Sequence, residues 1–321
     1  MFEGSKNASD IVLDACGALA EYPRMLIPLL LCWLCYAPLL VALKYHVPWQ
    51  NYDIYTSLLI LFAAILFLSL IFSWSAFMLL ELIRQIEMDE KRSTIKCLAK
   101  SSINVIIALP IVLVWAILWF ILSVLESLFN EKSDDPSAAY NAMNVAQSLA
   151  GNKETSLISL GLRLISRGIR MLAFIIYPAL AWEKLSVFNS LKKGLSVARL
   201  HKAEFSAGFF ITLAASVAVF VPPMIMFILS EEFGVIFTDF EWFVLIGYCA
   251  LAWSFSLYLE QMFVAELYLW HLIWEKEVDQ AKKEGRPLPK LEDVKRPSIM
   301  DSVADLHLTN INTAKNQHGK V

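Results

Sequence analysis

The run Tyr55–Leu80, YTSLLILFAAILFLSLIFSWSAFMLL, contains twenty-six residues and no charge. Strands and ordinary core helices end well before that length, whereas a helix crossing the hydrocarbon of a bilayer needs about 20 apolar residues. The run is therefore read as a membrane span, ending at Glu81 and Arg84. Four more runs of the same kind flank it. Met25–Leu43 lies between Arg24 and Lys44 and carries Pro28 and Pro38, which a span tolerates because neighbouring groups re-satisfy the freed carbonyls. Ile103–Leu125 carries Pro110, Phe205–Ser230 carries Pro222 and Pro223, and the last run is uncharged from Trp242 to Leu259. An unbroken helix from Trp242 to Trp274 would be roughly 50 Å long and would project well past the bilayer.

Composition agrees with this reading. Of the 321 residues 58% are hydrophobic and 12% aromatic, and the mean hydropathy of +0.57 lies above that of a soluble domain. The fold expected is all-α, a polytopic membrane protein of about six transmembrane helices. The net charge of −3 averages basic loops on one side against acidic loops on the other, so it carries no information about partners.

A sixth span, the fourth in chain order, needs three arginines. Only Met171–Trp182 is uncharged there, about 18 Å of helix, so a crossing must recruit Arg163, Arg167 and Arg170. Their i, i+4, i+7 spacing places them on one helical face, continued by Ser159 and Ser156. In the simpler reading, which is the expectation, Leu157–Arg170 is an amphipathic segment on the outer surface whose arginines snorkel to headgroups. In the alternative, the stripe faces the bundle interior and lines a polar path or pairs with a carboxylate. Topology then makes Glu126, at the outer end of the third span, the nearest partner.

Orientation follows from the basic loops. Arg84, Lys91, Arg92, Lys96 and Lys100 follow the second span, and Lys184, Lys192, Lys193, Arg199 and Lys202 follow the fourth, whereas the alternate loops hold only Lys44, Lys132 and Lys153. The positive-inside rule puts both termini in the cytoplasm. No cleavable signal peptide is expected, because Glu3, Asp10 and Asp14 occupy the N-terminus and the first span is too long for an h-region. The chain divides into a cytoplasmic amphipathic helix over 1–23, with Ile11, Val12, Ala15 and Leu19 on its apolar side, a six-span domain over 24–275, and a cytoplasmic polar tail over 276–321.

Chemistry-bearing motifs are scarce. No H-E-x-x-H, G-x-S-x-G or P-loop occurs, so no catalytic, cofactor-binding or metal-ligating residues are assigned, and nothing points to nucleic acid. Cys32 and Cys35 form a C-x-x-C inside the first span, where packing is the expected role, and Cys16, Cys97 and Cys249 are scattered. His271 lies near Glu260, Glu266 and Glu275, but their steps do not keep one helical face, so this region is expected to be the solvated inner end of a long helix.

A charged linker over 81–89 and a short amphipathic helix over 92–102 separate the second and third spans. The amphipathic stretch Ser186–Arg199, in which Val187, Leu191, Leu195 and Ala198 share a face, separates the fourth and fifth. Span, amphipathic helix, span thus occurs twice in one orientation, a parallel internal repeat. Lys192 and Lys193 are the expected membrane-interface contacts on the second of these helices. The residues Tyr177-Pro178-Ala179, Glu183 and Ser186–Leu195 running on to Phe205 resemble the P-x-x-x-x-E and A-L-x-x-S-x-x-L element of a broad group of six-helix bacterial membrane domains. That group includes the membrane domain fused to some glycerophosphodiester phosphodiesterases and the Yip1-like and YciC-like proteins. The resemblance extends loosely over residues 8–275 and implies architecture and bacterial inner-membrane placement, not an activity.

In the tail, Gly285, Pro287 and Pro289 stop the last helix, and Leu291, Val294, Pro297, Ile299, Met300, Val303 and Leu306 stand among charges. Residues 276–309 are a candidate docking segment for a cytoplasmic protein partner or for the protein's own helices, and 310–321 read as disordered. The preferred functional reading is a non-enzymatic inner-membrane protein that organises a partner or the inner leaflet. The alternative is a transporter or channel for a small anionic solute, with the arginines as its wall. The topology predicts that a reporter fused after Val321 is active only as a cytoplasmic fusion, and reporter activity confined to the far side would refute it.

Overall fold

The computed structural model describes residues 2–87, 94–130 and 157–296. Among them are no strands and eight α-helices: α1 (Phe2–Glu21), α2 (Ile27–Tyr45), α3 (Ile54–Glu87), α4 (Thr94–Asn130), α5 (Leu157–Ala181), α6 (Val187–Leu200), α7 (Lys202–Glu231) and α8 (Asp239–Glu284). Six of them, α2, α3, α4, α5, α7 and α8, are long and apolar enough to cross a membrane. The chain is an all-α polytopic membrane protein. The expectations for Lys91, Arg92, Lys132, Lys153, Ser156 and 297–321 lie outside the described residues.

Two expected breaks are absent. No separate amphipathic helix precedes the third span, because α4 runs unbroken from Thr94. The stretch Thr94–Ser102 has no glycine or proline, and the Ser101 and Ser102 hydroxyls donate back to the carbonyls of Cys97 and Leu98 instead of capping a new helix. Glu81, expected to open a charged linker, lies within α3. Its carboxylate accepts Arg84 and, across the helix pair, Lys100, both at 2.8 Å. Of the two expected copies of the repeat, only the second therefore has a free-standing middle helix.

That middle helix, α6, leaves Leu191 and Leu195 of its apolar face uncovered by protein, as expected, and packs on the bundle through another face. Ser190, Gly194, Val197 and Ala198 are buried, while Leu191 and Leu195 are exposed. Gly194 explains the choice. A Cβ at this position would lie 2.8 Å from Cα of Ile176, so only glycine lets α6 approach the backbone of α5 this closely. The turn between the two helices places Lys184 at φ 52°, and the Leu185 amide closes it by donating to the Ala179 carbonyl. Lys192 is exposed, whereas the Lys193 ammonium is held by Glu275 of α8 at 2.5 Å.

The long helix α8 is the axis of the bundle. It begins in a capping box formed by Thr238 and Glu241 and stops at Gly285, φ 67°. Every residue from Leu257 to Leu272 is buried. This overturns the expected solvated inner end: Glu260 and Glu266 are each 1% exposed and His271 4%. The cover comes from both ends of the chain. The apolar side of α1, with Ala8, Ile11, Val12, Ala15 and Ala18 buried, packs on α7 and α8. The Tyr258 hydroxyl donates to the Ala15 carbonyl at 2.9 Å. The start of the tail folds back, its Val294 and Pro289 carbonyls accepting the indoles of Trp270 and Trp274. Arg296 then reaches Asp14 of α1 at 2.5 Å.

His201, in the turn from α6 to α7, is 4% exposed, and one of its ring nitrogens lies 2.9 Å from one of His271. Lys193 and Glu275 are the charged side chains beside this pair. Burial pushes the His201 imidazole down from 6.5 to about 4. The unfolded chain therefore binds this proton first, so the stabilising contribution is complete above the unfolded value and is lost as pH falls toward the folded one. Acidification from pH 7 to pH 5 is expected to cost about 2 kcal/mol through this group. Thermal melts of the detergent-solubilised protein across that interval check it. The His201→Gln variant should show a flatter pH dependence.

Candidate functional site

Helix α5 crosses as one unbroken run of 25 residues, which settles how its three arginines are placed. Their face is turned into the bundle. The Arg167 and Arg170 side chains are only 12% and 25% exposed, and Arg163, nearest the start of the helix, is 35% exposed. The expected surface segment with snorkelling arginines is not formed, because carboxylates on α4 and α8 meet the stripe from inside.

The stripe meets two carboxylates. Glu126, the partner that topology proposed, accepts Arg163 Nε at 2.6 Å. Arg170 instead forks onto Glu260, with Nε and Nη2 at 3.0 and 2.9 Å. Arg167 Nη2 shares the same carboxylate at 2.8 Å and also donates to the Ser216 hydroxyl at 3.0 Å. That hydroxyl is fixed in turn, since it donates to the Thr212 carbonyl of α7. Glu260 thus ties α5 to α8, and Ser216 adds α7. Paired, charge-assisted bonds of this kind are what allow ionised side chains to remain inside a membrane bundle.

A cavity of about 430 Å³ opens beside the stripe, within the usual range for small-ligand sites. Its polar wall holds Arg163, Arg167, Arg170, Glu126, Ser123 and Ser166. The opposite wall is aromatic. Trp115 and Trp119 of α4 stack at 6.0 Å with 14° between their planes, and both meet the edge of Phe72 from α3. Tyr36 of α2 continues the wall, packed on Phe72 and stacked against Trp253. The i, i+4 spacing of Trp115 and Trp119 puts both rings on one face of α4.

The charges do not balance. Three guanidiniums face two carboxylates in this set of ion pairs, an excess of one positive charge within the set. Two donors, Arg163 Nη2 and Arg167 Nε, are buried and make no hydrogen bond among the described residues. Chemically, the arrangement offers a fixed positive charge on one side and ring faces on the other. Among the described residues no group of three His, Cys, Asp or Glu side chains is placed to hold a metal ion.

Sequence reasoning reached Arg163, Arg167, Arg170 and Glu126 and missed Glu260, Ser216 and the aromatic wall. The signal for Glu260 was its place as the first charge after the uncharged run ending at Leu259. Removing it should strand two guanidiniums. Glu260→Gln is expected to destabilise the protein by about 3–5 kcal/mol, more than Glu126→Gln, whose partner is partly hydrated. In double-mutant cycles on thermal stability, Arg163 and Glu126 should couple while Arg170 and Glu126 add, and the reverse pattern would refute the pairing.

No family model matches the chain, and comparison with curated proteins and with solved structures returns no match either.

Proposed function

We propose that the protein is a transporter that binds an anionic solute in the arginine-lined cavity as a step in moving it across the membrane. The observation that carries this reading is the inward-facing stripe with its excess positive charge beside a 430 Å³ cavity. A stripe that served only to anchor a surface helix would have no need of Glu126 and Glu260 from two other helices. The aromatic wall adds a preference for a solute with an apolar part, because rings opposite a guanidinium can sandwich a flat or hydrocarbon moiety. The site lies within the spans, the basic loops support placing the end of the bundle that holds α1 and the tail in the cytoplasm, and the resemblance to six-helix bacterial membrane domains supports a bacterial inner membrane.

The competing reading, a protein that organises a cytoplasmic partner, has lost part of its surface. Leu291 and Val294 are buried on the protein's own helices, and Lys193 and Arg296 are engaged by Glu275 and Asp14.

Phenyl phosphate is a suitable probe because it joins an anion to a ring. It should raise the melting temperature of the purified wild-type protein, by about 2.7 kcal/mol of linkage at a hundredfold excess over Kd. Arg163→Gln, the most exposed and so the least disruptive neutralisation, should abolish the shift while the protein still folds. Absence of a shift with phenyl phosphate and with other organic anions would remove the reading.

A further inference from the structure

A second hollow, of about 370 Å³, runs along an apolar side of α4, α5 and α6. Pro110, Val114, Leu118, Leu172, Phe188 and Leu191 line it, and every lining residue is apolar. It is not a separate feature. Trp115, itself 4% exposed, lines both this groove and the arginine cavity, so the two spaces meet at this residue. Helix α5 has the matching two-sided pattern: Arg163, Arg167 and Arg170 line the cavity, while Ile169, Leu172, Ala173 and Ile176 line the groove. A charged recess and a hydrocarbon slot thus share Trp115 and a helix.

We propose that the ligand of the cavity is an anionic phospholipid, its phosphodiester held at the arginines and one acyl chain lying in the groove past Trp115. This deepens the anion-transport reading and rests on it. Charge complementarity selects the headgroup: the cluster has one positive charge in excess, and a phosphodiester with an uncharged substituent brings one negative charge. Guanidinium forks match phosphate oxygens geometrically, and all three guanidinium-bearing side chains line the cavity. Continuity selects the chain. Hydrocarbon gains nothing by moving from bilayer to an apolar groove, so the groove holds a particular lipid only if the headgroup is retained next door.

That last point defines the experiment. The full-length protein is reconstituted in phosphatidylcholine vesicles carrying a trace of photoreactive lipid, with the diazirine on the acyl chain and either a phosphatidylglycerol or a phosphatidylcholine headgroup. The phosphatidylglycerol probe should label Val114, Leu118 and Leu191 about fivefold or more over the zwitterionic probe. In Arg163→Gln the two probes should label equally, although that residue does not line the groove. Val114→Trp and Leu118→Trp, which fill the groove from exposed positions, should reduce retention of phosphatidylglycerol in native mass spectra and leave the phenyl phosphate shift unchanged. Equal labelling by the two probes in the wild type, insensitive to Arg163→Gln, would overturn the proposal. A phenyl phosphate shift that persists in that case leaves the small-anion reading standing, and loss of both removes the two together.

Discussion

One carboxylate decides whether α5 can cross at all. An arginine at the centre of a helix costs about 2.5–3.5 kcal/mol on insertion scales, and α5 carries three within eight residues, followed by only eleven uncharged ones to its end at Ala181. Glu260 meets two of them at 2.8–3.0 Å while itself 1% exposed. The contact is long in sequence and short in space, so α8 must be in place before α5 is comfortable in the membrane. The rest follows from it: α8 as the central axis, α7 drawn in through Ser216, and a cavity bounded by α4 and α3 on the side that Glu260 does not fill.

The burial of the inner half of α8 obeys the same logic. Its stretch Leu257–Leu272 includes Glu260, Gln261, Glu266 and His271, too polar to face lipid and too apolar to face water. The chain resolves this by wrapping both its ends around it. Tyr268 donates to Glu183, His271 meets His201, Tyr258 meets α1, and the two tryptophans hold the returning tail. Each of these contacts ties α8 to another segment of the chain, whether helix, turn or tail, and not to lipid.

The spans were legible because a bilayer imposes a length on uncharged helix, and Tyr55–Leu80 or Ile103–Leu125 has no other use. The outward apolar face of α6 was expected, but the small residues that make its contact with protein were less legible. On α6 the apolar residues Leu191 and Leu195 point outward, and the small ones, Ser190 and Gly194, point inward. Packing between membrane helices rewards close approach over hydrophobicity, so the periodicity that finds the core in water finds the lipid here. The break before Ile103 was placed by charge alone, and charge does not end a helix that lacks glycine or proline. Arg163, Arg167 and Arg170 were recognisable by their spacing. Their partners were not, because depth in the membrane does not specify which of five neighbouring helices lies alongside.

The uneven neutralisation of the stripe is itself informative. A buried ion pair is seldom better for stability than well-packed hydrocarbon of the same volume, and an α5 of leucines would insert more readily. Stability therefore does not account for three arginines, still less for three against two carboxylates. Sharing Glu260 between Arg167 and Arg170 leaves neither guanidinium fully compensated, and the surrounding rings of Phe72, Trp115 and Trp119 keep the local dielectric low, so the residual field is weakly screened. A third carboxylate at Ser123 or Ser166 would have closed the account and sealed the site. Serines stand there instead, small enough to keep the cavity open and neutral enough to leave its charge in place.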